Sequence, residues 1–308
     1  MPEAANRTAS GAMSPAAWRT AGDSIAWRGH RIFYREQGDG EPLLLLHGFP
    51  TSSWDWRHVW DELARSYRVI ALDYLGFGFS DKPADGPYSV FTYADQAEAV
   101  LAHLGVARMH VLAHDLGDTV AQELLARDRE RSGRGYAELA SVCLLNGGIF
   151  PEVHRPRRAQ RLLDSPIGFL VARLSDRKRF GRGLAAVFGP RTQPSEAELD
   201  GFWECASAGN GLRNYHRLIR YMRERRRHRE RWVGPLLGGE VPLSFINGHL
   251  DPVSGKHVVD RLRELVPGAE IHDLPEIGHY PQTEAPAEVL RAYTAFRQRV
   301  AATDAERA

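Results

Sequence analysis

Four short apolar runs punctuate the first half of the chain: PLLLL (42–46), RVIAL (68–72), MHVLA (109–113) and ASVCLL (140–145). Each is short for a helix, and each is too continuously apolar for a strand with one wet face. They read as strands buried on both faces of a parallel sheet. WRGHRIFYRE (27–36) adds a pair of opening strands around the Gly29 turn. Helical spacing fills 53–65, 92–104 and the stretch from the turn at Asp115 to Arg127, and a glycine-rich loop, DYLGFGFSDKP, follows the second run. The alternation resumes late in the chain with VPLSFING, a helix near 255–265, AEIHDL and a last helix over 287–300. Strand and helix in alternation imply an α/β fold, a mostly parallel sheet flanked by helices.

Between the two alternating parts the pattern stops. Residues 148–235 read as helices and loops, with prolines at 151, 156, 166, 190 and 194. From 151 to 235 there are 19 Lys and Arg against 9 Asp and Glu, a local charge of +10 in a chain whose net charge is +1. The expected organisation is a core over 23–147 and 236–302, an inserted helical cap over 148–235, and a disordered Ala-, Ser- and Pro-rich tail over 1–22. That tail carries no apolar h-region, and no apolar run approaches the ~20 residues that span a bilayer. Cys143 and Cys205 have no CxxC spacing and read as reduced core residues, which fits a cytoplasmic setting.

Chemistry concentrates where strands end. VLAHDLGDTV (111–120) is a strand, a tight turn and a helix start, with small residues on both sides of Asp115. Such an elbow lifts its tip residue above the carboxyl edge of the sheet, where ligands of open α/β sheets bind. Asp115 as a helix N-cap is the plainer reading of the same turn. HGFP follows the PLLLL strand, so the backbone N–H groups of Phe49 and Leu116 are expected to converge on one oxygen of Asp115. Asp251, in NGHLDPV, and His279, in EIGHYPQ, follow later strands. Alone, the first is a turn residue and the second a loop histidine. Together the order Asp115, Asp251, His279 is nucleophile, acid, base, all at one sheet edge. His114 is expected to pack under the elbow, and Asp118 to serve the helix dipole as a first-turn acid.

HGFP, DYLGFGFSDKP, the elbow, NGHLDPV and GHYPQ together resemble the α/β-hydrolase superfamily over about residues 24–300, in the branch of the epoxide hydrolases and haloalkane dehalogenases. HDLGDTVAQELL, NGGIFPEVHRP, VFGPRTQPSEAEL and RRHRERWVGPL resemble the mesoderm-specific transcript homologue family, and that likeness reaches into the cap. A carboxylate nucleophile suits displacement at a saturated carbon and leaves an alkyl ester of Asp115, which a His279-activated water would hydrolyse. An acyl transfer would instead leave a mixed anhydride. No metal or organic cofactor is required by this chemistry.

The leaving group is read from fewer residues. The branch's dehalogenases hold halide with a Trp after the nucleophile, and Leu116 stands there instead. Trp54 and Trp56 are candidate pocket residues or core anchors. Epoxide opening needs a proton donor, usually a pair of cap tyrosines, and Tyr215 resembles one of them. Tyr221, six residues on, would face away from Tyr215 on a regular helix. Trp203, His114 and Tyr221 complete the candidate pocket. The expected activity is an epoxide hydrolase acting on a small apolar electrophile. The alternatives are a haloalkane dehalogenase and a non-catalytic binding protein with a basic cap. The run YMRERRRHRERW (221–232) reads as a solvated cap helix with internal Glu–Arg pairs, offering weak contact with an anionic surface and no nucleic-acid module.

Overall fold

The computed structural model describes residues 13–131 and 136–307. Its centre is an eight-stranded sheet in the order β1-β2-β4-β3-β5-β6-β7-β8. The strands are β1 (Asp23–Trp27), β2 (His30–Gln37), β3 (Glu41–Leu46), β4 (Tyr67–Leu72), β5 (Arg108–His114), β6 (Glu138–Leu145), β7 (Leu243–Gly248) and β8 (Glu270–Leu274). β1 and β2 form an antiparallel hairpin, β2 pairs antiparallel with β4, and every later pairing is parallel. The apolar runs occupy the middle of this sheet. Leu43 to Leu46 are inaccessible to solvent, and fully burying a leucine contributes about 1.5–3 kcal/mol relative to leaving it exposed.

The helices in chain order begin with α1 (Pro15–Thr20), α2 (Trp60–Leu63), α3 (Val90–His103) and α4 (Leu116–Arg131). Those between β6 and β7 are α5 (Arg158–Leu163), α6 (Gly168–Arg173), α7 (Arg177–Ala185), α8 (Glu196–Ser207), α9 (Tyr215–Leu218), α10 (Tyr221–Arg227) and α11 (Arg229–Gly238). α12 (Lys256–Leu265), α13 (Pro281–Glu284) and α14 (Pro286–Arg307) close the chain. Apolar side chains of α3 and α4 cover one face of the sheet; those of α14 and α1 cover the other.

The helices after β6 are tied to the core by buried polar contacts. Glu224 accepts the Val90 N–H at 2.8 Å, and Asn214 reaches the carbonyls of Lys82 and Pro83. Glu123 of α4, almost fully buried, takes the Trp232 indole N–H at 2.8 Å and the Arg231 guanidinium at 2.7 Å. A buried carboxylate with that many charge-assisted partners fixes α11 against α4.

Two expectations need correction. The expected tail over 1–22 is structured from Met13 onward, while residues 1–12 lie outside the described part. Ser14 caps α1 by accepting the Ala17 N–H, Pro15 opens the helix, and Trp18 is fully buried with its indole N–H on Ser53 Oγ. Core packing of one large aromatic outweighs the polar composition around it. The expected helix over 53–65 is a 3-10 segment over Ser53–His58 followed by the single turn of α2.

Candidate active site

The β5–α4 turn is a strained elbow. Asp115 has φ 48°, a left-handed conformation that costs a non-glycine residue about 1–2 kcal/mol. Neighbouring backbone makes the turn possible by coming very close. A Cβ on Gly117 would lie 2.2 Å from the Leu46 carbonyl oxygen, and one on Gly48 would lie 3.0 Å from Asp115 Cβ. The Asp115 N–H is held by the Leu145 carbonyl at 3.2 Å.

The Asp115 carboxylate is buried and has three kinds of partner. Phe49 N–H donates to Oδ2 at 3.0 Å, and Tyr221 OH approaches the same oxygen at 3.4 Å. Arg225 lies 3.4 Å from Oδ1 and donates to the Asp115 carbonyl at 2.8 Å and to Thr119 Oγ1 at 2.6 Å. Among the described residues Leu116 N–H makes no hydrogen bond to the resting carboxylate, contrary to the expected convergence of two backbone donors. The carboxylate is instead spread between Phe49 on one oxygen and Arg225 on the other. Burial pushes the Asp115 carboxyl up, but Arg225 and His279 outweigh it and hold the group below the ordinary carboxylate value.

His279 and Asp251 meet at the ends of the β8 and β7 connections. Nδ1 of His279 is 2.7 Å from Asp251 Oδ2. Asp251 is further bound by the Val253 N–H (2.7 Å), Ser254 Oγ (2.9 Å) and Asn146 Nδ2 (3.0 Å). Burial raises the Asp251 carboxyl, while His279 and these donors more than reverse it, leaving it at about 2. Burial likewise opposes charge on His279, but Asp251, Asp115 and Glu284 lift the ring to about 9. An acid that fixes the tautomer and a ring whose other nitrogen is free form a proton-transfer pair. His114, pushed down to about 3 by burial and by His279, is neutral. Its Nε2 sits 2.7 Å from the His279 carbonyl, so it steadies the His279 loop rather than lining a pocket.

A cavity of about 1270 Å³ opens between the helices that follow β6 and the loops at the carboxyl edge of the sheet, reaching Phe49, Pro50, Tyr215, Val253, His279 and Tyr280. Of the candidate pocket residues, Trp54, Trp56, His114, Trp203 and Tyr221 are not in its lining. Trp54 and Trp56 are fully buried in the core below, with the Trp54 indole N–H donating to the Met13 carbonyl at 2.9 Å. Trp203 packs on Phe180, which does face the cavity. Tyr215 lines it, but its hydroxyl donates to the Pro50 carbonyl at 2.7 Å. Tyr221 is off the lining yet touches Asp115. The two tyrosines do not face apart, because the helix breaks between Leu218 and Tyr221, and both rings pack on Phe49 at 5.3 and 6.0 Å. Burial, and for Tyr221 also Asp115, pushes both phenols well up, so both stay protonated.

Sequence reasoning missed Arg225 and Asn146. Arg225 sits in a run of arginines that reads as a solvated face, although its side chain is only 2% exposed. Arg223 pairs with Asp164, Arg229 with Glu152 and Arg231 with Glu123 and Glu130, while Arg226 and Arg227 are exposed with no ion pair among the described residues. Apart from the buried Arg225, the run stays at the surface, with part of its charge paired. Asn146, at φ 45°, binds both Gly248 backbone groups and Asp251, and the NGG after β6 was its only trace. Asp118 is buried, and burial together with Asp115 raises it well above the carboxylate range. It sits in the first turn of α4 and accepts the Leu145 N–H at 3.3 Å.

Residues 41–144 match the alpha/beta hydrolase fold family. The chain is 46% identical to the mesoderm-specific transcript homolog protein of Bos taurus over 92% of this chain and 88% of that one. It is 42% identical to a soluble epoxide hydrolase of a Corynebacterium species, over 30% of this chain and 32% of that one. A loop variant of a haloalkane dehalogenase from Bradyrhizobium elkanii superposes with a TM-score of 0.77 at 23% identity, covering 93% of this chain and 99% of that one. Among the described residues no helix is long and apolar enough to cross a membrane.

Proposed function

The chain belongs to the mesoderm-specific transcript homologue family of α/β hydrolases, and from that premise we propose that it opens epoxides with Asp115 as nucleophile. The observation that carries this reading is the Tyr221 hydroxyl at 3.4 Å from an Asp115 oxygen that also accepts the Phe49 N–H. A protonated phenol at that point is a proton donor beside the attacking group, as ring opening requires and halide loss does not.

The steps follow from the contacts. Phe49 N–H holds Oδ2 at 3.0 Å while Arg225 stands off Oδ1 at 3.4 Å, so Oδ1, the less tightly held oxygen, forms the new bond to an epoxide carbon while the ring C–O bond breaks and its electron pair takes the Tyr221 proton. The product is a hydroxyalkyl ester of Asp115. Esterification removes the Asp115 charge, one of the charges that keep His279 protonated. His279 then gives its proton to the Tyr221 phenolate and, as the neutral ring, accepts one from water as that water adds to the ester carbonyl. Phe49 N–H faces the tetrahedral oxyanion. Collapse breaks the carbon–Oδ1 bond, the departing alkoxide takes the proton from His279 to give the diol, and the proton left on the Asp115 carboxyl passes to His279, restoring carboxylate and imidazolium. Trp54, with its N–H already engaged, offers nothing to a halide.

Tyr221→Phe is expected to slow epoxide hydrolysis about 10²–10³-fold while leaving the Asp115 carboxylate able to take an alkyl group from an alkyl halide. Single-turnover rates with a styrene oxide panel check this. Wild-type rates in the variant would remove Tyr221 from the reaction and the epoxide reading with it.

A further inference from the structure

The cap face around the cavity mouth carries a feature that the reaction does not use. Of the eight large hydrophobic side chains exposed in the described structure, five fall within 162–174: Leu162, Ile167, Phe169, Leu170 and Leu174, each 44–65% exposed. They cluster on the α5–α6 hairpin, and on α6 the spacing 167, 170, 174 keeps three of them on one side. A cluster of this kind on a monomer surface marks an interaction site.

The apolar patch is set in a strongly basic surround. Residues 155–182 hold nine Lys and Arg and two Asp. Both aspartates are occupied, Asp164 by Arg223 and Asp176 as the cap of α7. Arg155, Arg158, Arg161, Arg173, Lys178 and Arg182 are exposed and have no acidic partner among the described residues. Elsewhere on the cap, Arg223, Arg229 and Arg231 are paired, while Arg213, Arg220, Arg226 and Arg227 are exposed with no ion pair among the described residues; the six at this face are the ones that flank the apolar patch. Leu162 and Leu174 belong both to the exposed patch and to the cavity lining, as do Arg158, Arg161 and Arg182. An apolar path therefore runs from the surface patch into the space that ends at His279.

We propose that this face docks on an anionic lipid bilayer, with Ile167, Phe169, Leu170 and Leu174 entering the headgroup–acyl boundary and the unpaired basic side chains meeting lipid phosphates. Apolar anchors flanked by cations are what interfacial attachment needs, and neither alone holds a protein firmly. A second copy of the chain does not fit the patch, because a two-fold contact would set like charges against each other. Docked this way, the cavity mouth opens on the membrane, and an apolar substrate enters without crossing water. The docking is independent of which bond Asp115 attacks.

Flotation of the full chain with vesicles tests it, comparing pure phosphatidylcholine with phosphatidylcholine containing about one-third phosphatidylglycerol. Binding to the anionic vesicles is expected to exceed binding to neutral ones at least about tenfold at low salt, and to weaken as salt rises. Ile167→Ser with Phe169→Ser, and separately Arg173→Glu, are each expected to lower binding about tenfold without moving the melting temperature. None of these three residues lines the cavity. Failure to bind anionic vesicles, or binding unchanged in both variants, overturns the proposal; the first outcome would leave an acidic protein as the partner of this face.

Discussion

Asp115→Asn is expected to lower turnover by at least about 10⁴-fold and to shift the titration of His279 downward from about 9. Both effects have one cause. The amide cannot attack a saturated carbon at a useful rate, and it also removes a negative charge that stabilises the imidazolium. His279 would keep Asp251 as a partner at 2.7 Å, so its titration should fall without collapsing to the value of an isolated buried ring. The sign matters. A lower His279 value in the variant mimics the esterified enzyme, in which the ring must be neutral to accept a proton from water. Histidine ring NMR across pH 5 to 10 reads the shift, and steady-state rates read the loss. A variant that is inactive but leaves His279 at about 9 would show that Asp115 does not set the charge state of the base.

Arg225→Met is expected to destabilise the fold by about 3–5 kcal/mol at neutral pH, since removing one partner of a buried pair leaves the other charge uncompensated. The side chains of Arg225 and Asp115 are 2% and 4% exposed, so water does not replace the lost guanidinium. Methionine keeps most of the volume and the contact with the Tyr221 ring, which Arg225 now covers at 4.6 Å. The pH dependence separates charge from packing. In the parent, Asp115 is held below its ordinary value, so its contribution to stability is present above that value and is lost as pH falls through the folded one. Without Arg225 the burial that pushes the carboxyl up has less opposing it. The folded state then binds the proton more readily than the unfolded chain, and the stability gap between variant and parent should narrow on acidification. Denaturant unfolding of both proteins at pH 7 and pH 5 checks this; a gap that stays constant with pH would assign the loss to packing alone.

The sheet and the reactive loops were readable in the sequence because they depend on local patterns. PLLLL and ASVCLL can only be double-faced strands, and Asp115, Asp251 and His279 each follow a strand that the pattern marks. The parallel register then brings those loops to one edge. Arg225 was not readable, because its importance comes from burial over the elbow and its neighbours in sequence are also arginines. The break between α9 and α10, which turns Tyr221 toward Asp115, has no glycine or proline to announce it. α1 was missed for the opposite reason. Its Ser14-Pro15 start is a clear helix signature, but the surrounding composition argued for a tail, and only the buried Trp18 shows what the segment is for. Trp54 and Trp56 invited a pocket role, yet large indoles near a reactive loop serve its foundation as readily as its surface.

The most informative measurement is the intact mass of His279→Ala after incubation with an epoxide panel. With Asp251 left in place and no base to activate water, the protein should stop at the hydroxyalkyl ester. The mass should rise by that of one whole epoxide, the adduct should map to the peptide containing Asp115, and alkali should release it. An unmodified, folded protein across the panel would contradict Asp115 as a nucleophile, and so would an adduct on any other residue.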